Sequence, residues 1–147
     1  MGLIDDLGTG PVGVDTSIFV YFIEADPRFL SIVRPLFLAA DEGRVVLVTS
    51  ALTLMEVLVM PYRFGDDRLA ARYEALLSAA GGIRLIPIDA GTLRAAARIR
   101  AVHGARTPDA LQLAAALGAG CTSFVTNDRR LPAIGKLRIL QLGAYAG

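Results

Sequence analysis

The sequence predicts an α/β domain with a central, mainly parallel five-stranded sheet flanked by helices, and three observations predict it. Short apolar runs such as Val45-Val-Leu-Val-Thr and Ser123-Phe-Val-Thr have the length and β-branched content of strands buried on both faces. Segments with three-to-four-residue apolar spacing alternate with them, the pattern of helices packed on a parallel sheet. With 147 residues, of which 54% are hydrophobic, the chain is of ordinary single-domain size and can bury a full core without disulfides or structural metal.

The elements follow in order. Val12-Gly-Val reads as a short buried strand ending at Asp15, and helical spacing begins at once through Ile18, Phe19, Phe22 and Ile23. A second helix runs through Phe29, Ile32, Val33, Leu36 and Phe37 and stops at Gly43. After the strand at Val45, Ser50 is placed to cap a helix carrying Glu56, which Pro61 ends or kinks. Asp66 or Asp67 opens the next helix, through Leu69, Tyr73, Leu76 and Leu77. Gly81-Gly82 breaks the chain before a third strand, Ile83-Arg-Leu-Ile-Pro-Ile, and Asp89 caps a helix from Thr92 to about His103. In Thr107-Pro108-Asp109 a capping hydroxyl precedes a proline suited to the first helical position, so a helix should run to about Leu117. Ser123-Phe-Val-Thr is a fourth strand and Leu137-Arg-Ile-Leu-Gln-Leu a weak fifth.

Bulk properties exclude several classes. The acidic start, Met1-Gly-Leu-Ile-Asp-Asp, does not read as a secretory signal, and no apolar stretch reaches the length of a membrane span. A soluble, cytoplasmic protein with no membrane association is expected. The single cysteine, Cys121, lies in an apolar stretch and reads as a small buried thiol. The net charge of +1 hides an asymmetry: residues 1–89 carry 7 Arg against 12 acids, whereas residues 90–147 carry 8 Arg or Lys against 2 Asp. A basic second half could attract a polyanion or simply present solvated helix faces.

Four carboxylates sit where the hydrophobic pattern stops: Asp15, Glu56, Asp109 and Asp128. Each has an ordinary reading. Asp15 and Asp128 suit turns or caps, Asp109 in the first turn of a helix interacts well with its dipole, and Glu56 could face water. Yet Leu52, Leu54, Met55, Val57, Leu58, Val59 and Met60 surround Glu56 with apolar residues, which predicts a buried helix in which a lone carboxylate stays protonated or finds a cation. In an open parallel sheet the ligand crevice lies at the carboxyl ends of the strands, where Asp15 and Asp128 are predicted to fall. If one fold gathers the four acids, they remain ionised only around positive charge, and hard oxygen donors without His or Cys favour Mg2+ or Mn2+ over Zn2+. Phosphodiester hydrolysis is the expected chemistry.

Asp15-Thr-Ser after a short apolar strand, Ser50-Ala-Leu-Thr-Leu-Met-Glu56, Arg106-Thr-Pro-Asp109-Ala-Leu-Gln-Leu-Ala and Val125-Thr-Asn-Asp128, in this order and spacing, resemble the PIN-domain nucleases, and among them the VapC-type toxins of toxin–antitoxin pairs. The resemblance spans about Val12 to Leu142 and makes residues 1–147 a single PIN-like domain. It implies a five-stranded parallel sheet, Mg2+- or Mn2+-dependent cleavage of RNA, a homodimer, and a VapB-type antitoxin that covers the acidic groove. By position it implies Asp15, Glu56, Asp109 and Asp128 as catalytic, metal-site carboxylates, with Asp15 and Asp109 as direct ligands and Glu56 and Asp128 acting through water or on the attacking water. Thr16, Thr126 and Asn127 match the polar positions beside the acids and are expected to support them by hydrogen bonding.

Arg106, Arg129 and Arg130 flank two of the acids, placed to contact RNA phosphates or to balance charge. His103 before Gly104 suits a helix C-terminus better than catalysis. Phe19, Tyr21 and Phe22 read as core or subunit contacts rather than base-stacking platforms. Two other readings compete: an antitoxin-binding regulatory module with negligible cleavage, and a small-molecule phosphatase with Asp15 as covalent nucleophile. The phosphatase wants a second Asp two residues later, where Ser17 stands.

Overall fold

The structure is a computed structural model that describes residues 2–78 and 81–147. Its five strands, β1 (Val12–Val14), β2 (Leu47–Ser50), β3 (Ile83–Ile86), β4 (Ser123–Thr126) and β5 (Arg138–Gln141), form one sheet in the order β3-β2-β1-β4-β5. Every pairing is parallel. The order reverses at β1: the chain first builds outward through β2 and β3, then returns to β1's other side with β4 and β5. That reversal makes a crevice at the carboxyl ends of β1 and β4, beside Asp15 and Asp128.

The helices are α1 (Leu3–Asp6), α2 (Thr16–Ile23), α3 (Leu30–Asp41), α4 (Leu52–Arg63), α5 (Asp67–Ser78), α6 (Ala90–His103) and α7 (Thr107–Gly118), followed by a 3-10 turn at Leu142–Tyr145. They cover both sheet faces, and strand periodicity divides the core accordingly. Val12, Val14, Leu47 and Val125 point into a core shared with Ile18, Phe19, Val33, Leu36 and Tyr73. Val48 and Phe124 point the other way, against Ala96, Ile99, Ala110 and Leu113 of α6 and α7. Gly13 lies on that second face. A Cβ there would come 2.4 Å from Phe124 Cδ1 and 3.0 Å from Ala116, so glycine lets α7 press directly on the central strand. Gly82 has φ +81°, and a Cβ would stand 2.2 Å from the Ala40 carbonyl oxygen, so a glycine is needed at the entry to β3.

Several sequence expectations shift on contact with the structure. Ser50 is the last residue of β2 and not the cap of α4; Ala51 holds that position, although the Ser50 hydroxyl accepts from Leu52 N at 3.1 Å. Thr107 is already helical, with Arg106 at the N-cap position and no side-chain cap, so Pro108 serves as the second helical residue. Pro61 sits inside α4, which continues to Arg63. Asp66 receives the Leu69 N–H at 3.1 Å and Asp89 that of Thr92 at 2.8 Å, as caps should. Gly104, with φ +68°, ends α6 just after His103.

The largest correction concerns α4. It is apolar nearly all round but not buried all round: Met55, Val59 and Met60 are exposed, as are Tyr62 and Phe64 further along, while Thr53, Val57 and Leu58 face inward. Glu56 is itself exposed, so burial does not force it to find a cation or a proton. An apolar neighbourhood in sequence became a surface patch, because α4 packs along one side only.

Candidate functional site

Asp15 follows β1 and caps α2. Its backbone N–H continues the ladder to Val125 O at 3.0 Å, fixing the residue at the crevice. One carboxylate oxygen accepts from Thr16 N at 2.9 Å and the other from the Thr126 hydroxyl at 2.7 Å. Burial pushes the Asp15 carboxyl above its usual range; the hydrogen bonds from Thr126 and Thr16 N oppose this, and the negative charges of Asp109 and Glu56 add to it. The Thr126 hydroxyl also accepts from Asp128 N at 3.0 Å, so one β4 side chain ties two of the acids together.

Asp109, in the first turn of α7, is buried. Its Oδ2 accepts from Arg106 Nε at 3.2 Å, and Arg106 Nη2 reaches Asp128 Oδ2 at 3.4 Å. Asp128 also takes the Arg130 backbone N–H at 2.9 Å and its Nε at 3.1 Å. The Arg130 hydrogen bond holds the Asp128 carboxyl below its usual range against the penalty of desolvation, with further help from the charges of Arg130 and Arg106. Glu56 reaches in from α4, its Oε1 accepting from the Thr16 hydroxyl at 2.7 Å.

Together Asp15, Glu56, Asp109 and Asp128 line a single open cleft of about 560 Å³, with Thr16, Asn127, Arg106 and Arg130. Arg129 is exposed and does not line it, so the structure separates it from the other two arginines. Thr126 lies just beneath the cleft, fully buried. Tyr21 packs against the core, as the sequence predicts, with its ring 4.8 Å from that of Phe29, and in addition its hydroxyl accepts from Asn127 Nδ2 at 3.1 Å where it lines the cleft. Phe19 is in the core as expected, and Phe22 stacks on Phe37.

Sequence reasoning assigned no role to Gln112, Thr53 or Thr49, which form a buried hydrogen-bonded layer under the cleft. A signal existed. Gln112 follows Asp109 by three positions on one helix and Thr53 precedes Glu56 by three, so each shares a helix face with an acid.

The donor set is chemically suited to a hard divalent cation: four carboxylates, no thiolate or imidazole, and mutual repulsion felt at Asp15. Among the described residues, however, no three His, Cys, Asp or Glu side chains converge closely enough to grip one ion. Arg106 and Arg130 supply the counter-charge instead, through Asp109 and Asp128.

Solved structures of similar fold include a DNA-bound VapBC from Salmonella typhimurium (20% identity, TM-score 0.70, covering 91% of this chain and 99% of that one). A toxin–antitoxin complex from Klebsiella pneumoniae is similar at 18% identity and TM-score 0.65, over 87% of this chain and 95% of that one. VapC20 of Mycobacterium tuberculosis, a toxin that cleaves the sarcin-ricin loop, is similar at 19% identity and TM-score 0.62, over 77% and 86%. At these identities the likeness is one of fold. No match to a curated protein sequence was found. The PIN-domain family pattern matches residues 12–137, from the first residue of β1 to the residue before β5, and the chain belongs to the PIN-domain family.

Proposed function

We propose that this protein is a metal-dependent endoribonuclease, the toxin of a toxin–antitoxin pair. The observation that carries the reading is the convergence of Asp15, Glu56, Asp109 and Asp128 on one open cleft at the switch point of a PIN-family sheet. The toxin–antitoxin assignment is supported by the fold shared with VapBC complexes and with a toxin named for cleaving the sarcin-ricin loop. By the same likeness, the partner is a VapB-type antitoxin; the resemblance of the sequence motifs adds to the proposal that this antitoxin covers the cleft and that the toxin is a cytoplasmic homodimer. No helix among the described residues is long and apolar enough to cross a membrane.

Asp15 and Asp109 would hold Mg2+ or Mn2+ directly, with Glu56 and Asp128 holding or orienting water beside it. When bound, the ion supplies an activated water and charge compensation for the scissile phosphodiester. The remaining work falls to the chain. Thr126 and Thr16 N keep Asp15 facing the cleft despite its burial. Asn127 and Tyr21 form one wall, joined by their hydrogen bond. Arg106 and Arg130, exposed at the cleft edge and already turned to the acids, would exchange those carboxylates for substrate phosphates.

The test is substitution of Asp15 and of Asp109 by Asn. Both variants should fold, and both should lose metal-dependent RNA cleavage. Wild-type activity in the two would remove the site assignment, and a wild-type protein that binds antitoxin but cuts nothing would favour the regulatory-module reading.

A further inference from the structure

We propose that Gln112 is a positioning residue that fixes the direction of the Thr16 hydroxyl and through it the place of the Glu56 carboxylate in the cleft. The inference rests on the nuclease reading for its catalytic consequence, but its geometry stands on the layer beneath the acids.

Gln112 is 3% exposed, and its carboxamide is hydrogen-bonded on both ends. Oε1 accepts from Ser50 N at 3.1 Å and from the Thr49 hydroxyl at 3.3 Å. Nε2 donates to Thr53 Oγ1 at 2.8 Å and to Thr16 Oγ1 at 3.3 Å. The Ser50 N–H settles which end is which, because a backbone donor can be met only by the amide oxygen. The amide nitrogen is therefore obliged to face the threonines, where it can only donate.

That obligation sets the proton order above it. A hydroxyl has one proton, and the Thr16 oxygen already accepts from Gln112, so its proton is free to go to Glu56 Oε1 at 2.7 Å. Thr53 stands 3.0 Å from Thr16 and 2.7 Å from Thr49; with the Thr49 proton given to Gln112 Oε1, the Thr53 proton is taken up by the shorter contact to Thr49 and does not compete for the Thr16 hydroxyl. The direction toward Glu56 is thus set from α7, by the Gln112 amide nitrogen. Glu56 needs this. It is exposed on a helix whose outer face carries Met55, Val59 and Met60, and its bond to Thr16 is the polar contact that draws its carboxylate to the cleft. A flexible side chain without that bond would sample several rotamers in water.

The test uses Gln112→Glu, which keeps an acceptor for Ser50 N and Thr49 but replaces the donor facing Thr16 with a second acceptor. The new carboxylate draws the Thr16 proton away from Glu56. Thr16→Val removes the link directly and serves should the first variant fail to fold. In metal-free protein, NMR three-bond couplings should show one χ1 rotamer for Glu56 in the wild type and averaging in both variants. RNA cleavage should fall about tenfold in kcat, the scale of a lost outer-shell partner, with KM kept. The double variant should lose no more than Thr16→Val alone. A single Glu56 rotamer in either folded variant would overturn the proposal, as would additive losses in the double variant. A wild type that cleaves no RNA refutes the nuclease reading alone, and the rotamer comparison still decides the role of Gln112.

Discussion

Arg106 bridges Asp109 and Asp128, donating from Nε to the first at 3.2 Å and from Nη2 to the second at 3.4 Å. One guanidinium therefore sits between two acids, from α7 and from the loop after β4, and offsets part of their mutual repulsion. A divalent cation drawn to these carboxylates must compete with it.

Replacing Arg106 by Gln should accordingly tighten Mn2+ binding about fivefold, the scale of an exposed ion pair worth ~1 kcal/mol. The same variant should raise KM for RNA if Arg106 passes to a phosphate when substrate arrives. Titration calorimetry of the metal and steady-state cleavage measure the two effects separately. Unchanged metal affinity would mean that the bridge does not oppose the ion.

Thr126 serves Asp15 with its proton and Asp128 with its lone pair. Thr126→Val keeps the shape and removes both bonds, leaving a largely buried carboxylate oxygen without a donor. Loss of a hydrogen bond to a charged group predicts about 1.5–3 kcal/mol of destabilisation, read by urea unfolding, together with weaker metal binding. A neutral substitution would show that solvent replaces the hydroxyl at no cost.

Gly13→Ala should destabilise the fold by about 1–3 kcal/mol, as overpacking does, because the added methyl meets Phe124 at 2.4 Å. Pairing it with Phe124→Leu should restore part of the loss. Thermal unfolding of the single and double variants checks this, and equal melting temperatures for wild type and Gly13→Ala would mean that β1 and α7 separate more easily than the packing implies.

Cys121 is buried in the core around Phe124, and that burial pushes its thiol up to about 11 from 9.0, partly offset by the charge of Arg84. Folded protein at pH 8 should react with a thiol reagent far more slowly than urea-unfolded protein. A thiol whose pKa is higher in the folded state stabilises the fold below the unfolded value near 9.0, and that contribution is lost as pH rises toward about 11. Stability should therefore fall across that alkaline window, and Cys121→Ala should remove this part of the pH dependence.

The α/β architecture was legible because strand length, β-branched content and helical spacing all pointed one way, and the acids marked the carboxyl ends of β1 and β4 directly. What sequence could not supply was which side of each helix meets the sheet. Glu56 among Leu54, Met55, Val57 and Leu58 reads as buried, yet α4 turns Met55 and Val59 outward, and Glu56 reaches the cleft from the surface. Tyr21 sits between two core phenylalanines in sequence, but its rotation around α2 brings its hydroxyl to Asn127. Gln112 was hidden for a different reason: its role depends on Ser50 and Thr53, some 60 positions away, and such pairings appear only once α7 lies on β2. Arg129 and Arg130 are neighbours, yet the turn at Asp128 directs Arg130 alone to the acids.

The most direct measurement is to incubate purified, antitoxin-free protein with total cellular RNA in Mg2+, in Mn2+ and in EDTA, beside the Asp15→Asn variant, and to sequence the cut ends. The four-acid cleft predicts discrete cuts at defined sites that require both the metal and Asp15. Cleavage that persists in EDTA, or equally in the Asp15→Asn protein, would contradict it.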